Sequence, residues 1–300
     1  MKKKRTKRDD AANIISASEA IQWADEVPAV KEEAVAPYAA PPPAAQKRLT
    51  SVDIRKMKGG AKIACLTAYD FPTAAIVDES GIDAVLVGDS LGNVIMGFED
   101  TLGVTMDMVV HHSRAAARGL KRALLIGDLP FMSYQVSEVD AVRNAGRLVQ
   151  EGGAHCVKLE GGASVVKTVR RIIECGIPVM GHIGLTPQSV HTLGGYRMQG
   201  KTDEDRNRIL DDALALQDAG CFSVVLECVD HEFTARVTKT LAIPTIGIGS
   251  GAACDGQILV VHDMLGYTVR SVPRFVKQRA DLRATMGEAI RAYVKEVKGG

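Results

Sequence analysis

The sequence predicts an α/β protein, a (β/α)8 TIM-type barrel over residues 49–300 preceded by a disordered extension over residues 1–48. Three observations point to it: eight apolar runs of strand length recur, segments of helical periodicity separate most of them, and nearly every run ends in a polar or charged residue. Alternating strands and helices imply a parallel sheet covered by helices, and one barrel of about 250 residues suits the length. A hydrophobic content of 46% with only 4% aromatics supplies the Val, Ile, Leu and Ala that strands buried on both faces require. A doubly wound open sheet would alternate in the same way, but no GxGxxG or GxxxxGK[ST] fingerprint follows any strand.

Residues 1–48 begin with MKKKRTKRDD and end in an Ala/Pro-rich run, EAVAPYAAPPPAAQKR. Such composition buries too little apolar surface to offset the entropy of ordering. The basic head reads as a solvated charged end rather than an RNA-binding arm, and Asp9, Asp10, Glu19 and Asp25 argue against a transit peptide. Order is expected from Thr50, where TSVD forms a capping box before a short helix that stops at Gly59-Gly60.

Strands are expected at 61–67, 83–88, 122–127, 155–159, 177–182, 222–226, 243–248 and 257–262. Between them, a capped helix starts at Ser137, places Val139, Val142, Ala145, Leu148 and Val149 on one face, and stops at Gly152-Gly153. Similar helices span 105–119, where His111 and His112 read as structural, 163–176 and 203–220. The segment 183–201, IGLTPQSVHTLGGYRMQGK, is long and glycine-rich for a barrel connection and reads as a lid or ligand loop.

Composition also narrows the function. A net charge of +1 gives no general attraction to nucleic acid or anionic membrane, so neither is an expected partner. The six cysteines form no CxxC pair and read as reduced core residues. No apolar stretch approaches the roughly 18 residues of a membrane span. A soluble, cytoplasmic protein is expected.

Barrel enzymes place their active sites at the C-terminal ends of the strands. Here those ends carry Asp70, Asp89-Ser90, Asp128, Lys158 with Glu160, His182, Glu227, Ser250 and His262-Asp263. One such Asp alone is an ordinary helix cap; recurrence on successive strands favours a site. Asp89, Asp128 and Glu160 would repel one another unless a cation lay between them, and all-oxygen donors favour Mg²⁺ over Zn²⁺. Lys158 precedes Glu160 by two residues, so strand alternation aims both inward, where an ammonium can anchor an anionic substrate or simply pair with the carboxylates. Glu227, across the same mouth, is available as a general base. His182 is of second rank, with packing and function equally open to it.

Together GDSLG, GDLPF, KLEGG, GHIGLTPQSV with GGYRMQGK, LECV, and IGIGSG with DGQILVVHD resemble the ketopantoate hydroxymethyltransferase family, over roughly residues 50–297. The resemblance implies Mg²⁺ at Asp89, Asp128 and Glu160, and binding of a 2-oxo acid by Ser90 and Lys158 beside Asp89 and Asp128. It implies Glu227 as proton acceptor, 5,10-methylenetetrahydrofolate as cosubstrate, transfer of a hydroxymethyl group to 3-methyl-2-oxobutanoate in pantothenate biosynthesis, and a decameric homo-oligomer. The N-terminal extension lies outside the family core, and Asp230-His231 stand after LECV where a proline is common. A Mg²⁺-dependent carbon-carbon lyase of the isocitrate lyase or phosphonomutase type is the alternative, but its Lys-Lys-Cys-Gly-His loop is absent from this sequence.

Overall fold

A computed structural model describes residues 47–299, so most of the expected tail lies outside the described residues. Chain order begins slightly earlier than the sequence suggests. The backbone N–H of Leu49 donates to Arg122 at 2.8 Å, and the Arg48 guanidinium reaches the carbonyl of Leu120 at 2.6 Å. Arg48, expected in the tail, is therefore tied to the barrel. The capping box follows as expected: the Thr50 hydroxyl accepts from the backbone N–H of Asp53, whose carboxylate accepts from that of Thr50.

Eight parallel strands close into a barrel in sequence order. They are β1 (Ile63–Thr67), β2 (Ala84–Val87), β3 (Leu124–Asp128), β4 (Cys156–Glu160), β5 (Val179–Gly184), β6 (Ser223–Glu227), β7 (Thr245–Ile248) and β8 (Gly256–Leu259). The last is shorter than expected: the chain leaves it at Leu259, and His262 and Asp263 lie in a short helix, Val261–Met264.

Alternation along each strand divides the core in two. Ile63, Cys65, Leu86, Leu124, Ile126, Met180 and Ile258 fill the barrel interior, where Ile54 of helix Ser51–Lys56 packs as a plug against them. Val85, Leu125, Val157, Leu159, Val224 and Leu226 face outward into the layer shared with the helices. Fully burying such aliphatic side chains contributes about 1.5–3 kcal/mol each.

Helix Glu138–Gln150 is capped by Ser137 as expected, but its buried line is Ala141, Ala145 and Leu148. Val139 is 66% exposed, because at 100° per residue it lies roughly 160° around the wheel from Ala141. The two alanines let this helix approach the strands closely. Helix Leu282–Val297 has no buried residue and exposes Met286, Ile290, Tyr293 and Val294. Among the described residues no helix is long and apolar enough to cross a membrane. Four of the six cysteines are buried, whereas Cys175 is exposed and Cys228 half-buried.

Candidate active site

Strand register brings the acidic residues to the barrel mouth. Asp128 on β3 is level with Lys158 on β4, Glu160 on β4 is level with His182 on β5, and Glu227 on β6 is level with Gly184. Lys158 and Glu160 both point inward, as two-residue spacing requires, and Asp89, Asp128, Lys158, Glu160 and His182 are all buried. They line a cleft of about 700 Å³ with Ser90 and Glu227.

The polar groups form a continuous chain across the mouth. Lys158 Nζ lies 2.8 Å from Asp128 Oδ1 and 4.0 Å from Glu160 Oε1. His182 presents Nδ1 to Glu160 Oε1 at 3.4 Å and Nε2 to Glu227 Oε2 at 3.1 Å, with Lys158 Nζ 3.3 Å from Nδ1. His182 is thus the link between the Lys158 cluster and Glu227, a role its isolated place at a strand end did not disclose. Burial and Lys158 disfavour its charged form, but the flanking Glu160 and Glu227 outweigh them and hold its pKa at about 9. Burial likewise opposes the Lys158 charge, and Asp128, Glu160 and Asp89 reverse the effect and raise its pKa.

Asp89 is the most frustrated of the carboxylates. Burial, Asp128 and Glu160 push its pKa well above the ordinary carboxylate range, against Lys158 and a hydrogen bond from Gln188. Asp128 is also raised, chiefly by burial, although Lys158 and the backbone N–H of Asp89 oppose the rise. Glu160 is lowered: contact with His182, Lys158 and the backbone N–H of Gln188 overcomes its burial.

These residues suit a hard cation in donor chemistry. Asp128 Oδ1 faces the cleft but is ion-paired with Lys158 at 2.8 Å, whereas on Asp89 it is Oδ2 that is engaged, by Gln188 at 2.9 Å, leaving its second oxygen without a hydrogen bond among the described residues. Carboxylates on two adjacent strand ends thus line the cleft. Among the described residues, however, no three His, Cys, Asp or Glu side chains converge into a ready-made metal cage. Like charges stay apart, and Glu160 is turned toward His182 and Gln188. Such an open arrangement favours an ion that retains several waters, as Mg²⁺ does.

Asp263 lines the cleft, whereas three other strand-end candidates have structural roles. Asp70 caps helix Phe71–Glu79 by accepting from the backbone N–H of Thr73. The Ser250 hydroxyl donates to Leu226 O at 2.7 Å and accepts from Val229 N at 2.9 Å, bracing the turn after β6. The His262 ring stacks on Tyr267 with centroids 5.0 Å apart. His112, as expected, is structural, its Nδ1 lying 2.7 Å from the carbonyl oxygen of Tyr69.

Sequence reasoning missed three residues. Tyr69 places its hydroxyl 2.8 Å from Ser90 Oγ and so orients a candidate substrate contact. Tyr134 donates to the carbonyl of Glu160 or to Gln188 Oε1, and Gln188 touches Asp89 directly. Tyr69 directly precedes the strand-end candidate Asp70, and Gln188 lies within GHIGLTPQSV, but no local periodicity marks them. Cys228, next to Glu227, holds φ at 48°, a left-handed backbone that costs a non-glycine residue about 1–3 kcal/mol and recurs at functional sites.

Comparison with known proteins adds a family and a set of fold relatives. Residues 48–300 match the model of the ketopantoate hydroxymethyltransferase family. The chain is 54% identical to the 3-methyl-2-oxobutanoate hydroxymethyltransferase of Carboxydothermus hydrogenoformans over 252 residues, covering 84% of this chain and 91% of that protein. It is also 54% identical to the enzyme of that name from Syntrophus aciditrophicus, covering 85% of this chain and 94% of its relative. Among solved structures, a phosphonopyruvate hydrolase aligns with TM-score 0.58 at 12% identity, covering 84% of this chain and 89% of its own. The phosphoenolpyruvate phosphomutase of Streptomyces platensis subsp. rosaceus aligns with TM-score 0.57 at 12% identity, covering 83% and 88%. At such identities the likeness to these two structures is one of barrel fold alone.

Proposed function

The chain belongs to the ketopantoate hydroxymethyltransferase family, and we propose that its barrel mouth transfers a hydroxymethyl group from 5,10-methylenetetrahydrofolate to 3-methyl-2-oxobutanoate. With one water consumed, the products are 2-dehydropantoate and tetrahydrofolate. The observation that carries this reading is the continuous polar chain from buried Asp128 through Lys158, Glu160 and His182 to the half-buried Glu227. It sets an anion-binding ammonium and a carboxylate base on opposite sides of one cleft.

Asp89 and Asp128, with Glu160 behind them, are the residues that would hold Mg²⁺. The bound ion supplies Lewis acidity toward the substrate carboxylate and 2-oxo oxygens, which favours enolate formation. Lys158 attracts the anionic substrate, and the Ser90 hydroxyl, oriented by Tyr69, donates to one of its oxygens. Glu227 takes the C3 proton, after which the enolate carbon bonds to the one-carbon unit as that carbon gives up its two bonds to the folate nitrogens. Water supplies the hydroxyl oxygen, and the nitrogens take up the protons to give tetrahydrofolate. His182, 3.1 Å from Glu227 Oε2, holds this carboxylate in place and accommodates its change of charge.

Beyond the acidic cluster, Tyr196, Met198 and Phe275 with Arg197 and Arg274 line the outer cleft, a combination suited to a large aromatic cosubstrate bearing carboxylates. The apolar residues exposed on helix Leu282–Val297 support assembly with further copies of the chain. The lyase alternative has support in the shared barrel alone.

The test is exchange of the substrate C3 proton in deuterated water, followed by NMR with protein and Mg²⁺ present. Enzyme-dependent exchange is expected, and Glu227→Gln should slow it by about 10²- to 10⁴-fold, the usual scale for a general base. Absence of exchange by the unaltered protein would sink the proposal, and wild-type exchange by the variant would remove Glu227 from the base role.

A further inference from the structure

Gln188 lies in the short turn Pro187–Ser189 that follows β5 and is 5% exposed. Every hydrogen-bonding group of its side chain is engaged. Nε2 donates to Asp89 Oδ2 at 2.9 Å and to the carbonyl of Leu129 at 3.0 Å. Oε1 faces the Tyr134 hydroxyl at 2.8 Å and Gln135 Nε2 at 3.2 Å. Its backbone N–H donates to Glu160 Oε2 at 3.0 Å. The amide can sit only one way round, because the Leu129 carbonyl accepts and cannot donate. Tyr134 is seated in turn, its hydroxyl accepting from the backbone N–H of Glu160 at 3.1 Å. One residue of the β5 loop thereby grips carboxylates at the ends of β2 and β4 and the chain beyond β3.

The same loop continues to Tyr196, Arg197 and Met198, which are exposed and form part of the cleft wall. A displacement of the loop that removed Gln188 would free Asp89 and Glu160 to swing, and a displacement of those carboxylates would unseat the loop. We propose that Gln188 is a positioning residue that latches segment 183–201 to the cation-binding carboxylates, so that divalent-cation binding and loop closure are thermodynamically linked. Linkage of this kind is reciprocal: whatever cation binding does for the closed loop, the closed loop does for cation affinity. The proposal rests on the reading of Asp89, Asp128 and Glu160 as the cation site.

Two variants test it. Gln188→Met keeps the length and removes the amide, whereas Tyr134→Phe leaves Gln188 in place and removes the hydroxyl that seats it. Circular dichroism establishes folding, calorimetry with MgCl₂ gives cation affinity, and trypsin cleavage after Arg197 and Lys201 with and without Mg²⁺ reports loop closure. Mg²⁺ is expected to protect the loop of the unaltered protein. Gln188→Met should bind Mg²⁺ about 10- to 100-fold more weakly, the range typical when a partner of a metal ligand is lost, and should lose the protection. Tyr134→Phe should show a smaller loss in both measurements.

Unchanged affinity and protection in folded Gln188→Met would overturn the latch and leave the cation site standing. If that variant fails to fold, unchanged behaviour of Tyr134→Phe overturns the latch. Failure of the unaltered protein to bind Mg²⁺ would overturn both the latch and the cation site.

Discussion

At the N-terminal end of the barrel, Asp78 accepts hydrogen bonds from the backbone N–H groups of Lys121, Arg122 and Ala123 at 2.7–3.1 Å. Near the same end, Asp255 accepts from Lys58 Nζ, Gly59 N and Thr245 N at 2.8–3.0 Å. At the opposite end Asp89 is equally buried but shares its surroundings with Asp128 and Glu160. Burial acts on Asp255 and Asp89 in the same direction. For Asp255 the donors from Thr245, Lys58 and Gly59 prevail and its pKa falls, whereas for Asp89 the neighbouring charges add to burial and its pKa rises. A buried carboxylate surrounded by donors serves the fold, and one surrounded by carboxylates strains it. That contrast locates the site independently of any motif.

The largest effect should come from removing the Lys158 ammonium from the crowded end. In Lys158→Met, buried Asp128 loses its paired cation, and urea unfolding without divalent ions should show a loss of about 3–5 kcal/mol, the scale of breaking a buried ion pair. A loss below about 1 kcal/mol would mean that the mouth is better solvated than its burial implies.

A bound cation should relieve the same strain. At about 100 times its Kd, Mg²⁺ should stabilise the protein by about 2.7 kcal/mol, read as a rise of several degrees in Tm. At a fixed Mg²⁺ concentration the rise should grow with pH. Asp89 and Asp128 have folded pKa values above their unfolded ones, so their contribution is complete at low pH and is lost as pH rises through the folded values. His182 has the same sign, and its contribution is lost between its ordinary 6.5 and about 9. The cation-free mouth is therefore weakest on the alkaline side, where protons also compete least with Mg²⁺. A Tm increment that shrinks as pH rises from about 6 to about 8.5 would break the comparison between the two ends.

Much of this was legible in the sequence, for local reasons. Apolar runs, glycine stops and side-chain caps fixed the eight strands and their order, and two-residue spacing placed Lys158 and Glu160 on one face. Asp70 was ambiguous because a cap and a site residue occupy the same place after a strand. On helix Glu138–Gln150 the expected face holds at Ala145 and Leu148, with Val142 packed against the core, but Val139 points outward and Ala141 takes its place. The links through His182, Gln188 and Tyr134 were not legible. They depend on barrel closure and on a loop folding back over strands distant in sequence, which no periodicity records.

The most direct test compares one substitution at each end of the barrel, with stability measured by urea unfolding of cation-free protein near neutral pH. Asp78→Asn should destabilise by about 1.5–3 kcal/mol, because backbone donors lose a charged acceptor. Asp89→Asn should leave stability unchanged or raise it, because it removes a repelled charge while its amide oxygen can still accept from Gln188. Opposite or clearly unequal responses of this kind are what the account predicts. Equal losses at the two ends would contradict it.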